Sequence, residues 1–399
     1  MPTPRRADLV AGSVTSQFGR LPAKSKPGVR DNGIHEWVPL SGIVADQDGK
    51  LTCLALATGA KCLPASKLGQ TDGNAIHDWH AEILAIRAFN RYLLDECRRL
   101  QQGKPSAVLQ TSPGDAAHPF ALRDNVKLHM YCSEAPCGDA SMELVMAAQE
   151  DASPWRTAPP ADAGAGADSS TLPGRAHFSQ LGIVRRKPAR RDAPPTLSKS
   201  CSDKITLKQC TSLLSSLTSL LVDPANAYLE SLVLPESQFS ESGCQRAFSR
   251  RVGSLADASW PGGYKFRAFA VETTREVFDL SRRSVGARAD KVAPSNLAAA
   301  WTCSGVEETI LGGVVRGRRP FEEKGASSMS RRQVWMLARA LSDALPCSRD
   351  VRRALAGQTY QEVKDAELLA DRQRVKRQVR ESALTGWVRN LGDSSFSIH

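Results

Sequence analysis

Apolar and polar positions along the chain follow the two periodicities of a mixed α/β protein. Two short apolar runs, His35 to Ala45 and Leu51 to Thr58, flank the turn Asp46 to Lys50, and this pattern predicts a β-hairpin. Asp78 to Leu100 carries apolar residues at spacings of three and four, which is typical of an amphipathic helix. Val126 to Cys132 alternates between apolar and polar residues and predicts a strand.

The pattern continues to the end of the chain with further helices and strands. A second helix is expected to begin near Cys137 and to run through Met146. Beyond it, the sequence predicts a helix over residues 209–222, strands over 228–234 and 264–271, helices from Met329 onward, and one long charged helix over 360–385. The order of hairpin, helix, strand and helix predicts an α/β layer structure.

Two segments break the pattern. Residues 1–35 are rich in proline and short of apolar periodicity, so we interpret them as a partly ordered basic N-terminal arm. Ser153 to Gly174 contains four prolines among Ala, Gly, Asp and Ser residues. Such a composition indicates a disordered insertion inside a domain. We therefore expect one domain over residues 36–399, with an insertion at about 153–178.

Composition excludes several classes of protein. The 399 residues contain no apolar stretch of about 18 residues, so no membrane partner is expected. The N-terminal region lacks the apolar run of a secretory signal. Ten widely spaced cysteines do not resemble a secreted disulfide scaffold, and they favour buried, metal-binding or catalytic roles. We therefore expect the protein in the nucleus, the cytoplasm or both, and the sequence indicates no obligate protein partner.

The charge of the chain favours a polyanionic partner. The formal net charge is +11, and the sequence pI is about 9.3. Lysine and arginine side chains that replace counterions on a nucleic acid give binding of this kind. The alternative at this level is a basic protein with a solvated surface.

The residues that carry chemistry begin with His80-Ala81-Glu82 at the start of the first strong helix. Pro136-Cys137 follows a strand and precedes the second helix. Zinc prefers nitrogen and sulfur ligands, and a helix N-terminus stabilises a thiolate. The order His-x-Glu, then Pro-Cys, is the signature that zinc nucleobase deaminases share. That signature has a second cysteine where this chain has Ala140, so a third ligand must come from elsewhere.

Several longer blocks of the sequence resemble one family. They are Ala57-Thr58-Gly59-Ala60-Lys61-Cys62-Leu63-Pro64, Asp78-Trp79-His80-Ala81-Glu82, Pro136-Cys137-Gly138-Asp139-Ala140-Ser141, Ser200-Cys201-Ser202-Asp203-Lys204-Ile205 and Gly386-Trp387-Val388. Together they resemble the adenosine deaminases acting on RNA, from about Trp37 to the C-terminal region. The resemblance implies a cytidine-deaminase-like three-layer α/β/α core extended by C-terminal helices.

The resemblance also completes the expected metal site. In the family the third zinc ligand lies in the Ser-Cys-Ser-Asp-Lys block, which is Cys201 here, so the implied ligands are His80, Cys137 and Cys201. Zinc would lower the pKa of a water molecule toward about 7. Glu82 would then move the proton while hydroxide attacks C6 of adenine and ammonia leaves. The implied reaction is the hydrolysis of a carbon–nitrogen bond that converts adenosine to inosine.

The resemblance implies tRNA as the substrate. Family similarity begins by about Trp37, which leaves no room for the double-stranded-RNA-binding domains of the editing members. The match is therefore to the branch that modifies adenosine 37, next to the anticodon, in alanine tRNA. The residues expected to contact RNA are Lys61, Arg185, Arg186, Lys187, Arg190 and Arg191. For the basic cluster after residue 184, a nuclear localisation signal or a solvated loop stays an alternative.

Family members also bury an inositol hexakisphosphate. The positions that match its contacts are Arg87, Lys204, Tyr360, Lys364, Lys376 and Trp387. The sequence departs from the family at Ile86, where relatives can have an arginine, and at Leu207-Lys208, where they have an Arg-Trp pair. A solvated positive stripe is the alternative interpretation of the C-terminal cations.

Other functions stay open from the sequence. A cytidine or free-nucleoside deaminase would have a compact Cys-x-x-Cys, which this chain lacks. A non-catalytic RNA-binding relative would have a substituted Glu82 or a missing ligand, and neither is seen. Deamination of another structured RNA is the remaining alternative to tRNA.

Overall fold

A computed structural model describes residues 5–113, 117–148, 172–173, 180–187, 193–345 and 349–399. Most of the expected insertion, and the candidate RNA-contact residues Arg190 and Arg191, lie outside these ranges. In the described part of the chain, no helix has both the length and the apolar composition needed to cross a membrane.

The described residues form ten α-helices and fourteen strands, joined by short 3₁₀ turns. The helices are α1 (Arg6–Gly19), α2 (Ala81–Gln101), α3 (Met142–Ala147), α4 (Cys201–Thr211), α5 (Glu241–Phe248), α6 (Arg282–Gly286), α7 (Arg331–Ala344), α8 (Arg349–Leu355), α9 (Tyr360–Asp365) and α10 (Ala370–Ser382). The strands are β1 (His35–Trp37), β2 (Leu40–Gln47), β3 (Lys50–Thr58), β4 (Leu109–Thr111), β5 (Phe120–Leu122), β6 (Val126–Cys132), β7 (Leu172–Pro173), β8 (Arg185–Arg186), β9 (Leu229–Pro235), β10 (Ala270–Thr274), β11 (Val292–Pro294), β12 (Leu297–Thr302), β13 (Glu307–Leu311) and β14 (Val314–Val315).

One eight-stranded mixed sheet organises the molecule, in the order β10-β9-β6-β2-β3-β12-β13-β14. The predicted hairpin is confirmed as β2 and β3, which pair antiparallel around a turn at Asp48 and Gly49. Strands β6, β9 and β10 run parallel to one another. Because β2 is antiparallel to both β3 and β6, the carboxyl ends of β3, β6, β9 and β10 meet at one edge of the sheet. Functional loops of α/β proteins gather at such an edge.

Helix α1 covers one face of this sheet. Val10, Val14 and Phe18 recur every four residues and are buried against Leu40, Val44, Leu56, Tyr131 and Val233 of the strands. The Phe18 ring also meets Phe278 edge-on, with ring centroids 5.1 Å apart. The sequence predicted a partly ordered arm in this region, because prolines lie on both sides of it. The apolar stripe between these prolines buries enough surface against the sheet to stabilise a helix.

Helix α2 covers the opposite face and belongs to the largest apolar cluster. Leu84, Phe89 and Leu93 are fully buried in it, together with Ile43, Leu54 and Met130 of the sheet. Helices α1 and α2 on the two faces complete three α/β/α layers, so the predicted fold class is confirmed. The C-terminal helices α7 to α10 extend this core, and α10 packs against α4 through Val375 and Val379.

Three sequence-based elements differ from the structure. The helix predicted over 209–222 ends at Thr211, because Ser212 adopts a φ of 58° that no α-helix accommodates. The strand predicted over 264–271 is confined to Ala270–Thr274. The long helix predicted over 360–385 is broken at Ala366, whose backbone is extended at φ −54° and ψ 142°. The break separates α9 from α10.

The packing of α1 predicts that Phe18→Ala destabilises the protein by about 3 kcal/mol, since it removes a buried ring and leaves a cavity. Urea unfolding followed by circular dichroism measures this change. Leu9→Ala on the same helix is the control, because Leu9 is 48% exposed and should change stability by less than about 0.5 kcal/mol. Equal stability of the Phe18 variant and the unchanged protein would contradict the packing described for α1.

Candidate active site

His80 lies at the carboxyl edge of the sheet, as the N-cap residue of α2. Its position depends on Gly59 at the end of β3, where an added Cβ would lie 2.1 Å from the carbonyl oxygen of Trp79. Gly59 also has a φ of 137°, which favours glycine. The His80 Nδ1 donates to Asp78 Oδ1 across 2.9 Å. A carboxylate that fixes one ring nitrogen of a histidine leaves Nε2 as the nitrogen for a metal ion.

Cys137 and Cys201 lie in contact, although 63 residues separate them in the sequence. The backbone N–H of Cys201 donates to Cys137 Sγ across 3.3 Å. Gly138 allows this approach, because its φ is 101° and an added Cβ would lie 2.3 Å from Ser200 Oγ. Ser200 caps α4 by accepting from the Asp203 N–H, so Cys201 begins a helix, whereas the sequence predicted a helix here only from residue 209. The second predicted helix begins later, at Met142, after a 3₁₀ turn that follows Cys137.

Each of the two cysteines shifts the pKa of the other. The hydrogen bond from Cys201 and the nearby Lys187 ammonium outweigh burial and hold the pKa of Cys137 well below its ordinary value. Burial and the Cys137 thiolate raise the pKa of Cys201 well above its ordinary value. A cysteine whose pKa is lowered in this way, beside a second cysteine, is suited to a cation.

Glu82 lies in the first turn of α2 and is 6% exposed. Burial, and next the negative charge of Cys137, raise the pKa of the Glu82 carboxyl above its ordinary value, while His80 and Lys187 oppose this shift. A carboxyl with a raised pKa beside a candidate metal site can take and return a proton.

One compact group of metal-type ligands lies beside His80 Nδ1, and it does not include Cys137 or Cys201. Atoms of Cys62, Asp78 and His80 all lie within 4.8 Å of one another, and the described residues contain no other such group. Cys62 Sγ is 3.5 Å from His80 Nδ1. The Asp78 carboxylate, however, is already taken by two lysine ammonium groups and the Ser198 hydroxyl. We therefore interpret Asp78 as the residue that orients His80, and not as a metal ligand.

Lys187 connects Asp78 to the cysteine pair. Its Nζ donates to Asp78 Oδ2 across 2.9 Å and to Cys201 Sγ across 3.2 Å. Lys204 contacts Asp78 from the other side and donates to Ser198 Oγ across 2.6 Å. The ammonium groups of Lys187 and Lys204 thus neutralise the buried Asp78 carboxylate, which lies between the cysteine pair and the interior of the protein. This role of Asp78 was not predicted from the sequence. The feature that could have indicated it is an acidic residue two positions before the candidate ligand His80.

The residues predicted to contact RNA differ in their exposure to solvent. Arg185 is fully buried and Lys187 is 5% exposed, so neither side chain faces solvent in this structure. The partner of Lys187 explains its location, because Asp78 is a buried carboxylate that requires a cation. The backbone N–H of Arg185 donates to Asp203 Oδ2 across 3.0 Å, which ties this segment to α4. Lys61 and Arg186 are half-buried, and Lys61 lies in the loop that follows β3 at the carboxyl edge.

A cavity of about 660 Å³ lies below this site, between α2 and the C-terminal helices. It brings together all six residues that the sequence analysis assigned to the inositol polyphosphate: Arg87, Lys204, Tyr360, Lys364, Lys376 and Trp387. Additional cations that the sequence analysis missed are Lys199, Arg331, Arg377, Arg380 and Arg389. Among the described lining residues, nine lysines and arginines therefore face three carboxylates.

The positively charged side chains of the cavity lie close to one another. Lys364 and Lys376 both donate to the Ser216 hydroxyl, across 2.9 and 3.3 Å. Burial, and next the neighbouring Arg372, lower the pKa of Lys364 to about 7. Burial and Lys364 likewise lower the pKa of Lys376 well below its ordinary value. Like charges that crowd one hydroxyl indicate a site built for a multiply charged anion.

Comparison with known proteins agrees with this geometry. Residues 55–391 match the adenosine-deaminase (editase) domain, and the chain therefore belongs to that family of proteins. It is similar to tRNA-specific adenosine deaminase 1 of Schizosaccharomyces pombe, with 35% identity over 97% of this chain and 95% of the relative. Similarity to tRNA-specific adenosine deaminase 1 of Saccharomyces cerevisiae is 34% over 62% of this chain and 63% of that relative. The double-stranded RNA-specific editase Adar of Drosophila melanogaster is 28% identical over 49% of this chain and 29% of its own length.

Proposed function

We propose that this chain is a zinc-dependent hydrolase that converts adenosine to inosine in tRNA, at adenosine 37 next to the anticodon of alanine tRNA. The observation that carries the proposal is the contact between Cys137 and Cys201, with His80 and Glu82 near enough at the start of α2 to interact electrostatically with Cys137. The S. pombe relative, which matches nearly the whole chain, carries the name of a tRNA-specific adenosine deaminase. The choice of position 37 and of alanine tRNA rests on the sequence resemblance.

The donor set fits zinc. His80 has its Nδ1 committed to Asp78, and the lowered pKa of Cys137 favours the thiolate that a metal ion requires. Three protein ligands, His80, Cys137 and Cys201, leave one position for a water molecule. When bound, zinc would supply the Lewis acidity that makes water a nucleophile at neutral pH.

The protein's own residues account for the proton transfers. Glu82 takes a proton from the attacking water and later delivers it to the leaving amine, so that water and adenosine give inosine and ammonia. The raised pKa of Glu82 suits both directions of transfer. The target base must leave its stack to reach Glu82, and this costs least in a loop such as an anticodon loop. Lys61 and Arg186 are the described residues that we propose as contacts to the tRNA backbone.

We also propose inositol hexakisphosphate as the occupant of the cavity. Buried cations without an anion are costly, and the Nε of Arg380 in the cavity wall has no hydrogen-bond partner among the described residues. Six phosphate groups would neutralise the facing cations and satisfy such donors. The ligand would then act as a folding cofactor, because it binds only the native arrangement of α2, α9 and α10.

The first prediction of this proposal concerns the reaction. Glu82→Ala should lose deamination by at least about 10²-fold while zinc stays near one equivalent, since Glu82 is not a ligand. Alanine tRNA is incubated with each protein and sequenced, and inosine is read at position 37. The control substrate carries guanosine at position 37 and should stay unchanged. Inosine at other positions of both tRNAs would contradict the proposed site of reaction.

The second prediction separates the two candidate cysteines. Cys201→Ala should remove both zinc and activity, because only two protein ligands would remain. Cys132→Ala is the matched control, since Cys132 is buried in β6 at 3.4 Å from the Ser41 hydroxyl and should affect only packing. Elemental analysis of the two purified variants measures the metal. Loss of zinc from the Cys132 variant alone would contradict the ligand set.

The third prediction concerns the cavity. Protein purified in high salt and then denatured should release about one equivalent of inositol hexakisphosphate, detected by mass spectrometry. Lys376→Met should lower this amount and the melting temperature. Arg374→Met on the same helix should change neither, because the Arg374 side chain is 60% exposed. Soluble and fully active protein from cells unable to make inositol hexakisphosphate would refute the proposal. Surface cations that bind RNA would instead lose it as salt rises.

A further inference from the structure

Each cysteine of the candidate metal site is followed two residues later by a buried aspartate. Asp139 follows Cys137 and is 1% exposed, and Asp203 follows Cys201 and is fully buried. Neither carboxylate is used by the proposed reaction. Buried carboxylates persist in proteins only where cations and hydrogen-bond donors compensate for lost water. The partners of these two residues therefore indicate what the pair does.

One guanidinium faces both aspartates. Arg251, in the 3₁₀ turn after α5, places NH1 2.9 Å from Asp203 Oδ1 and 3.8 Å from Asp139 Oδ2. The Arg251 side chain is 5% exposed. Arg246 of α5 supports the same arrangement, with Nε 3.1 Å from Asp139 Oδ1 and NH2 donating to the Asp139 carbonyl across 2.8 Å. Arg251 thus joins the turn that carries Cys137 to the helix that carries Cys201.

Direct hydrogen bonds also join these two segments, and they include the bond from the Cys201 N–H to Cys137 Sγ and one from the Ala140 N–H to Ser202 Oγ across 3.2 Å. The Ser202 N–H donates to the Cys137 carbonyl across 3.0 Å, and Ser202 Oγ donates to the Pro136 carbonyl across 3.0 Å. The sequence between Cys137 and Cys201 contains the expected insertion, so the short covalent link of a Cys-x-x-Cys motif is absent. The distance between the two sulfur atoms must be fixed by tertiary contacts, and Arg251 lies behind both.

Stability alone does not account for the buried cluster of Arg251, Asp139 and Asp203. Arg251 Nε and NH2, and Asp139 Oδ2, have no hydrogen-bond partner within the described residues. Incompletely satisfied buried ion pairs are frequently no more stable than apolar side chains of the same volume. A geometric function explains why such a cluster lies beside the cysteines.

We propose that Arg251 is a positioning residue that sets the separation of the Cys137 and Cys201 sulfur atoms through Asp139 and Asp203. This inference rests on the proposed zinc site. Removing the guanidinium frees the two segments to move apart, so the site holds zinc less tightly and in a different geometry. Replacing a residue that holds the metal ligands in place without touching the metal typically lowers metal affinity by about 10–100-fold.

The experiment compares Arg251→Met and Arg251→Lys with Arg250→Met. Arg250 is the neighbouring arginine, and its side chain donates an exposed hydrogen bond to Gln245 across 3.3 Å. Zinc release from each purified holoenzyme to excess EDTA is timed, and the visible spectrum of the cobalt-exchanged protein reports cobalt–thiolate geometry. We expect Arg251→Met to release zinc about 10–100-fold faster than the unchanged protein, with a shifted cobalt–thiolate band. Arg250→Met should match the unchanged protein in both measurements.

Arg251→Lys keeps a buried positive charge, but its compact ammonium on a different stem is not expected to take the position from which NH1 contacts both carboxylates. If the Arg251→Met variant does not fold, the Arg251→Lys variant still tests the positioning role. It should release zinc faster than the unchanged protein and show a shifted cobalt–thiolate band. Variants that lose thermal stability but keep the release rate and the cobalt spectrum would overturn the positioning role. An unchanged protein that contains no zinc and takes up no cobalt would instead refute the proposed zinc site, and this inference with it.

Discussion

The buried Asp78 carboxylate is the interaction on which the rest of the site depends. It orients the His80 ring, and it receives hydrogen bonds from Lys187, Lys204 and Ser198. Burial opposes its ionisation, but the two lysines outweigh this and hold the pKa of Asp78 well below its ordinary value. One charge at the centre of the molecule therefore couples the cysteine pair above it to the cation-lined cavity below. Neither region is electrostatically complete without the other.

This coupling explains why catalytic and C-terminal parts of the chain form one unit. Lys204 belongs to the helix that begins with Cys201, and it also lines the cavity. Burial, and next Lys204, lower the pKa of Lys199 in the same wall to about 7. Positive charge on this scale requires compensation that the described carboxylates of the cavity do not supply. A dense anion would relieve the repulsion in the lower layer and keep Lys204 available to Asp78.

The sequence predicted most of the core from local periodicity, and its short motifs indicated the ligand set that we propose. The hairpin of β2 and β3, helix α2 and strand β6 have strong apolar patterns, and His80, Glu82 and Cys137 lie at their ends. Errors occurred where tertiary contacts override local preference. Arg185 and Lys187 resemble a surface cluster in sequence, but both side chains are buried, and Lys187 pairs with the buried Asp78. The extended backbone at Ala366 depends on packing that a charged helical pattern does not reveal.

The cavity also constrains the order in which the protein can mature. Its walls combine Arg87, which is synthesised early, with Trp387 and Ser394 near the C-terminal end of this sequence. A chain is synthesised from its N-terminal end at about 5–20 residues per second, so α2 is made well before α9 and α10. The cavity therefore stays open until the last helices arrive. Capture of the proposed polyanion would consequently be a late step of biogenesis, in which the nascent chain closes around its ligand.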